Sequence, residues 1–286
     1  MQDTKALAAP QRMQCMEMRG GNRAIDKSFE APGLDVYIYS TPYLDSDSGG
    51  GDIYYLTSCA SGRVSRLLLA DVSGHGKGAS SLATSLRDLL RKNVNKISQQ
   101  KFVQQMNSEF GSVAGDSGFA TAVVATFFEP AGSLSLSVAG HPNPIYYRAS
   151  TRRWVELAPE EYGSEGSRSL PLGVLKNSTY PDWKLKTEPG DKFLLYSDAL
   201  IEATDSRGMM LGTRGVVDLL NESEISEAGE VIPYLRDRIS SISGTNLRED
   251  DTTMILCEFS KTRVRFRDNL LAPIRLLGRI RDKTNC

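Results

Sequence analysis

The chain has 286 residues, of which 40% are hydrophobic and 24% charged, enough for one large globular domain or two small ones, with no apolar run near the roughly 20 residues of a membrane span. Its net charge of −1 is uneven: residues 261–286 carry eight Lys/Arg against two acids, leaving a body of −7, and an acidic body argues against nucleic acid as the main substrate. Cys15, Cys59, Cys257 and Cys286 are scattered without a CxxC pair, which speaks against a disulfide or zinc framework and makes the cytoplasm the expected location.

Residues 1–33 are polar, contain several Gly and Met, and lack the apolar core of a secretory signal; they read as an N-terminal extension. DVYIYS (35–40) is the first expected strand. A turn-rich stretch, YLDSDSGGGD (43–52), precedes two more, IYYLTSC (53–59) and RVSRLLLADV (63–72), joined as a hairpin. Leu82, Leu86, Leu89, Leu90 and Val94 recur at helical spacing, and Phe102, Val103, Met106 and Phe110 mark a second amphipathic helix. FATAVVATFFE (119–129) and SLSLSVAG (133–140) form another hairpin, continued by YYRAS (146–150) and RRWVEL (152–157). After a polar loop (158–169), KFLLYSD (192–198) reads as a buried strand, followed by helices near 214–222 and 226–242 and a last strand, TTMILCEF (252–259). Hairpins enclosing grouped helices favour an α+β layered sandwich over alternating βαβ units.

Residues 67–81, LLLADVSGHGKGASS, admit three readings. Gly74, Gly76 and Ala79 satisfy the glycine pattern of a dinucleotide cradle, but no parallel strand with a ribose-binding acid follows about 20 residues on. A phosphate loop fails because Lys77 is followed by Gly78. An ordinary tight turn and a metal site remain. The metal reading gains from repetition: Asp71 closes LLLAD, Asp198 closes FLLYSD, Asp250 stands before TTMIL, and Asp52 opens IYYL. Such acids, if they converge, repel one another and need a cation to stay ionised. Oxygen donors with only His75 and His141 in the chain favour Mg²⁺ or Mn²⁺ over zinc. Taken singly, Asp52 is a turn residue, Asp71 and Asp198 are caps or solvated strand ends, and Asp250 and Asp251 open a strand.

GGGDIYY, LADVSGHGKGAS, FATAVVATFF, SVAGHPNPIYY, LPLGV, GDKFLLYSDALIEATD and REDDTTMIL occur in this order. Together they resemble the PPM (type 2C-like) metal-dependent serine/threonine protein phosphatases, in the bacterial SpoIIE-like branch, over about Asp35–Phe259. The resemblance implies an α-β-β-α sandwich of largely antiparallel sheets flanked by helices, with an N-terminal extension (1–33), a phosphatase domain (34–260) and a basic tail (261–286). It also implies two ions, Mn²⁺ or Mg²⁺. Asp71 would bridge both and the Val72 carbonyl would ligate the second. Asp198 and Asp250 would bind the first, and Asp52 would bind metal or orient a water. Asp251 would support these ligands. The implied reaction is hydrolysis of phosphoserine or phosphothreonine on a protein, in this branch often a regulator of an anti-sigma pathway.

Departures from the family are equally readable. Asp198 is followed by Ala199 where relatives have Gly, so this turn has to avoid positive φ. His75 lies four residues after Asp71 where the eukaryotic branch has its histidine two after, no arginine matches that branch's phosphate ligand, and His141 and Lys77 are expected to be structural and solvated respectively. Two rival functions remain, an inactive phosphatase-fold binding module and a nucleotide-binding domain. In the tail, Leu270, Leu271, Ile274, Leu277 and Ile280 are spaced as on an amphipathic helix with interleaved arginines, expected to dock on the body or to contact an anionic membrane or a partner.

Overall fold

The computed structural model describes residues 9–43, 49–59, 62–74, 76–96, 98–115, 118–158, 169–262 and 281–285. The chain opens with strands β1 (Gln11–Arg12), β2 (Glu17–Gly21), β3 (Ile25–Ala31), β4 (Leu34–Thr41), β5 (Asp52–Cys59) and β6 (Val64–Val72). Helices α1 (Gly76–Asn93) and α2 (Gln99–Ala114) follow, then β7 (Ala120–Phe128), β8 (Ser133–Ala139), β9 (Ile145–Arg148), β10 (Arg153–Glu156), β11 (Trp183–Lys186) and β12 (Lys192–Tyr196). Helices α3 (Ala199–Glu202), α4 (Gly212–Glu222) and α5 (Ala228–Ile242) lead into β13 (Thr252–Phe259), and β14 (Arg281–Asn285) closes the described chain.

Two seven-stranded sheets result, ordered β1-β3-β4-β13-β12-β9-β10 and β11-β8-β7-β6-β5-β2-β14. Among the described strands only the pairs made by β1 and β14, at sheet edges, are parallel. The fold is the expected α+β sandwich. β6 leads through two helices into β7, which lies antiparallel beside it, so no parallel βαβ unit is built there to carry a dinucleotide.

Burial on both faces explains the unbroken apolar strands. Leu67 and Leu69 of β6 point into the core between the sheets, while Leu68 and Ala70 lie under Leu86 and Leu90 of α1 and Phe102 and Phe110 of α2. In β13, Ile255 and Cys257 face inward; Met254 and Leu256 pack with Val216 of α4 and with Leu235 and Ile239 of α5. Alternate side chains of one strand thus serve two different cores, which produces continuous hydrophobic runs rather than alternation.

The elements differ from the sequence expectation at both ends. Residues 17–21 and 25–31, within the stretch read as an extension, pair with β5 and β4 as integral strands. Of the tail, residues 263–280, with the apolar positions expected to form an amphipathic helix, lie outside the described residues; Arg281 falls in β14, parallel to β2. Among the described residues no helix is long and apolar enough to cross a membrane.

Gly20 reports on β2. A Cβ there would collide with the Tyr54 carbonyl oxygen and the Tyr55 ring, and the backbone oxygen cannot yield without loss of the ladder. Gly20→Ala is expected to cost about 2–3 kcal/mol and to lower Tm by several degrees in thermal denaturation. A variant melting within a degree of the parent would show that β2 is not packed on β5.

Candidate active site

Four strand ends meet at one end of the sandwich. β5 begins and β6 ends there, with Asp52 directly opposite Asp71 in the antiparallel register. Like charges directly opposite are destabilising. Asp52 is 3% exposed, and its Oδ2 is buried with no hydrogen-bond partner among the described residues. Burial first, then the Asp71 charge, raises its carboxyl well above the usual carboxylate range, against the opposing pull of the Thr253 and Ser197 hydroxyls. Burial and the charges of Asp198 and Asp250 push Asp71 up to about 7.

The other sheet delivers the remaining acids. β12 pairs antiparallel with β13, so Tyr196 lies opposite Met254 and the residues just beyond, Ser197–Asp198 and Asp250–Asp251, are neighbours. The Ser197 N–H donates to the Thr253 carbonyl at 2.9 Å, the Thr253 N–H donates to Ser197 Oγ at 2.9 Å, and Ser197 Oγ donates to the Asp251 carbonyl at 3.2 Å. Burial, with the charges of Asp250 and Glu202, pushes Asp198 up to about 6. Asp250 is raised by partial burial against the hydrogen bond it accepts from the Asp251 N–H at 2.7 Å. Asp198 keeps right-handed φ and ψ at the start of α3, and Ala199 has no positive φ, so the turn accommodates alanine after the acid.

Asp251 acts through contacts that the sequence does not reveal. Its Oδ1 accepts the Tyr43 N–H at 2.5 Å, and its Oδ2 accepts the N–H groups of Gly51 at 2.5 Å and Asp52 at 3.2 Å. One carboxylate therefore clamps the start of β5 to the start of β13 and aims Asp52 at Asp71. Gly50 permits this, since a Cβ there would collide with the Asp251 carboxylate.

The residues suit a hard cation. A Cβ on Gly51 would lie 3.1 Å from the Val72 carbonyl oxygen, 3.2 Å from Asp71 Oδ1 and 3.6 Å from Asp251 Oδ2, so the missing side chain leaves open a space bordered by oxygen donors. Together with the unpartnered Oδ2 of Asp52, it provides an all-oxygen, acidic lining of the kind that selects Mg²⁺ or Mn²⁺. The acids are neighbours rather than a closed cage: among the described residues no three His, Cys, Asp or Glu side chains converge tightly enough to hold an ion as they stand.

His141 is buried between the sheets' ends. Its Nε2–H donates to the Tyr196 carbonyl at 3.1 Å, which leaves Nδ1 to accept from Thr121 Oγ1 at 2.9 Å. Burial lowers its pKa to about 4, so the ring is neutral and joins β7 to the end of β12. Thr121 in turn lies opposite Asp71. His75 lies outside the described residues, and Lys77 falls in the first turn of α1.

The Stage II sporulation protein E (SpoIIE) family model matches residues 61–260. A curated relative, the phosphoserine phosphatase RsbU of Bacillus subtilis (strain 168), is 22% identical over 226 residues, which is 78% of this chain and 63% of the relative. This chain thus spans less than two thirds of that relative's length. The solved RsbU and RsbW domains of Rv1364c from Mycobacterium tuberculosis share the fold with a TM-score of 0.66 at 24% identity, covering 81% of this chain and 63% of that one. RsbX, solved in complex with magnesium, shares it with a TM-score of 0.60 at 15% identity, over 82% of this chain and 100% of that one.

The raised carboxyls carry a pH signature. A folded pKa above the unfolded value means that stability is full below about pH 4 and is lost as pH rises through about 6 for Asp198 and about 7 for Asp71. With divalent ions chelated, Asp71→Asn is expected to match the parent near pH 4 and to exceed it by about 2 kcal/mol near pH 8, a figure discounted for partial exposure. Melting curves of both proteins across that range test this. A gap that stays constant with pH would remove Asp71 from the charge cluster.

Proposed function

The chain belongs to the Stage II sporulation protein E (SpoIIE) family, and on that premise we propose that it hydrolyses phosphoserine or phosphothreonine on a regulatory protein, with two divalent ions, Mn²⁺ or Mg²⁺, as cofactors. The observation that carries this reading is the Asp52–Asp71 pair, one buried and one half-buried, facing across β5 and β6 with Asp198 and Asp250 close by, a charge arrangement that costs stability unless something positive shares it. The name of the relative RsbU, a phosphoserine phosphatase, supports the substrate class, and the magnesium complex of RsbX supports the ion class. A regulator of an anti-sigma pathway is the substrate the resemblance implies.

In this proposal Asp52, Asp71, the Val72 carbonyl, Asp198 and Asp250 hold the ions. Ions bound there would lower the pKa of a water and neutralise charge gathering on phosphoryl oxygens. The chain's own contribution is placement. Asp251 fixes the backbone that carries Asp52. Neutral His141, through Thr121 and Tyr196, ties β7, the neighbour of the strand that carries Asp71, to the end of β12 just before Asp198. Burial pushes the Cys59 thiol up to about 11 and Cys257 well above its ordinary value, so neither offers a thiolate nucleophile, in keeping with direct attack by water. The intact acids count against a binding module without catalysis.

Phosphate release from a chromogenic monoester is expected to require Mn²⁺ or Mg²⁺ and to stop with chelator. Asp71→Asn is expected to lower kcat more than about a hundredfold, with Asp198→Asn and Asp250→Asn close behind. Asp251→Asn keeps one acceptor oxygen for the β5 amides and is expected to lose about five- to twentyfold. Full turnover after exhaustive chelation would end the two-ion proposal; a larger loss for Asp251→Asn than for Asp250→Asn would exchange their roles.

A further inference from the structure

A cavity of about 300 Å³ opens beside the acid cluster, with Thr121 and Asp198 on its wall. Thr121 lies opposite Asp71, so the cavity and the candidate site share a side. Trp183, Pro142 and Ile201 make much of the remaining wall apolar, and Glu156 adds a carboxylate. Its volume lies at the lower end of small-ligand sites.

Two groups on this wall define what fits. Trp183 is 4% exposed, and its indole Nε1–H is buried with no acceptor among the described residues. An orphaned buried donor costs about 1–3 kcal/mol, which a ligand offering an acceptor would recover. Glu156 is braced in place: its Oε1 accepts from Asn143 Nδ2 at 2.7 Å, and the Asn143 carbonyl accepts from Tyr196 Oη at 2.8 Å. An ionised carboxylate only accepts, whereas an indole N–H only donates. The complementary group must therefore both accept and donate over a short span. A carboxamide does so. An ammonium or guanidinium would leave the indole unanswered, and a carboxylate would face Glu156.

We propose that this cavity is a specificity subsite receiving an Asn or Gln side chain that flanks the phosphorylated residue of the protein substrate. The carboxamide oxygen accepts from Trp183 Nε1–H, its NH₂ donates to Glu156, and the aliphatic stem lies against Pro142 and Ile201. This inference rests on the phosphatase reading for the position of the phosphoryl group, but its binding chemistry is independent of turnover.

The test scans phosphoserine peptides with Gln, Ala or Arg at each position flanking the phosphoserine, with Mn²⁺ present. At one position Gln is expected to raise kcat/KM about three- to tenfold over Ala and Arg, and Trp183→Phe, which keeps the ring and removes the donor, is expected to erase that preference. A preference that survives Trp183→Phe, or no preference at any position, overturns the subsite. Trp154 and Trp183 are the two tryptophans of the chain, so the emission of the Trp154→Phe protein reads Trp183 alone. It is expected to shift saturably with the unphosphorylated Gln peptide and not with its Ala counterpart; no shift with either again overturns the subsite. A saturable shift without hydrolysis of any peptide would sink the phosphatase reading and leave the subsite standing. Hydrolysis with neither preference nor shift would do the reverse.

Discussion

The constraint around which this structure is organised is a repulsion. Two antiparallel strands place Asp52 and Asp71 face to face, one of them 3% exposed, and the neighbouring sheet brings Asp198 and Asp250 close enough to raise the Asp71 carboxyl further. A fold selected only for stability would replace such a pair, because burying like charges costs more than any local packing returns. The surrounding architecture holds these acids together: strands buried on both faces, the Asp251 clamp and a neutral histidine joining the two strand ends. Strain concentrated at one end of an otherwise well-packed sandwich is what functional sites look like energetically.

Much of this was legible in the sequence, for physical reasons. Strands β6, β12 and β13 lie between two cores, so their apolar runs are unbroken and the acid that ends or precedes each run stands out. The amphipathic stripes of α1, α2, α4 and α5 follow from one buried face each. The acids at strand ends, read singly, were indistinguishable from caps and turn residues; their recurrence and the family motifs separated the two.

The remainder was hidden because it depends on partners far away in the chain. β2 reads EMRGG, with a fully buried Glu17 that accepts from the Gln14 N–H and Arg19 Nε, and with Gly20 where a Tyr55 ring leaves no room for a side chain. Neither residue signals a strand. β11 is four residues long and pairs with β8, too short for alternation to stand out. Asp251 reads in the sequence only as a support for the neighbouring acids, with no hint of what it holds. Its role is set by backbone amides about two hundred residues earlier, which no local pattern encodes. The orphaned indole of Trp183 is likewise visible only once the sheets are assembled.

Calorimetric titration of Mn²⁺ into the full chain, in two buffers of different ionisation enthalpy, tests the central claim most directly. Carboxyls raised to about 6 and 7 are partly protonated at pH 6.5 and have to give up those protons as a cation takes their place. The expected result is Mn²⁺ binding with release of at least roughly one proton per chain at pH 6.5, and of fewer as the pH rises toward 8.5. Binding without proton release at pH 6.5, or no binding at all, would contradict it.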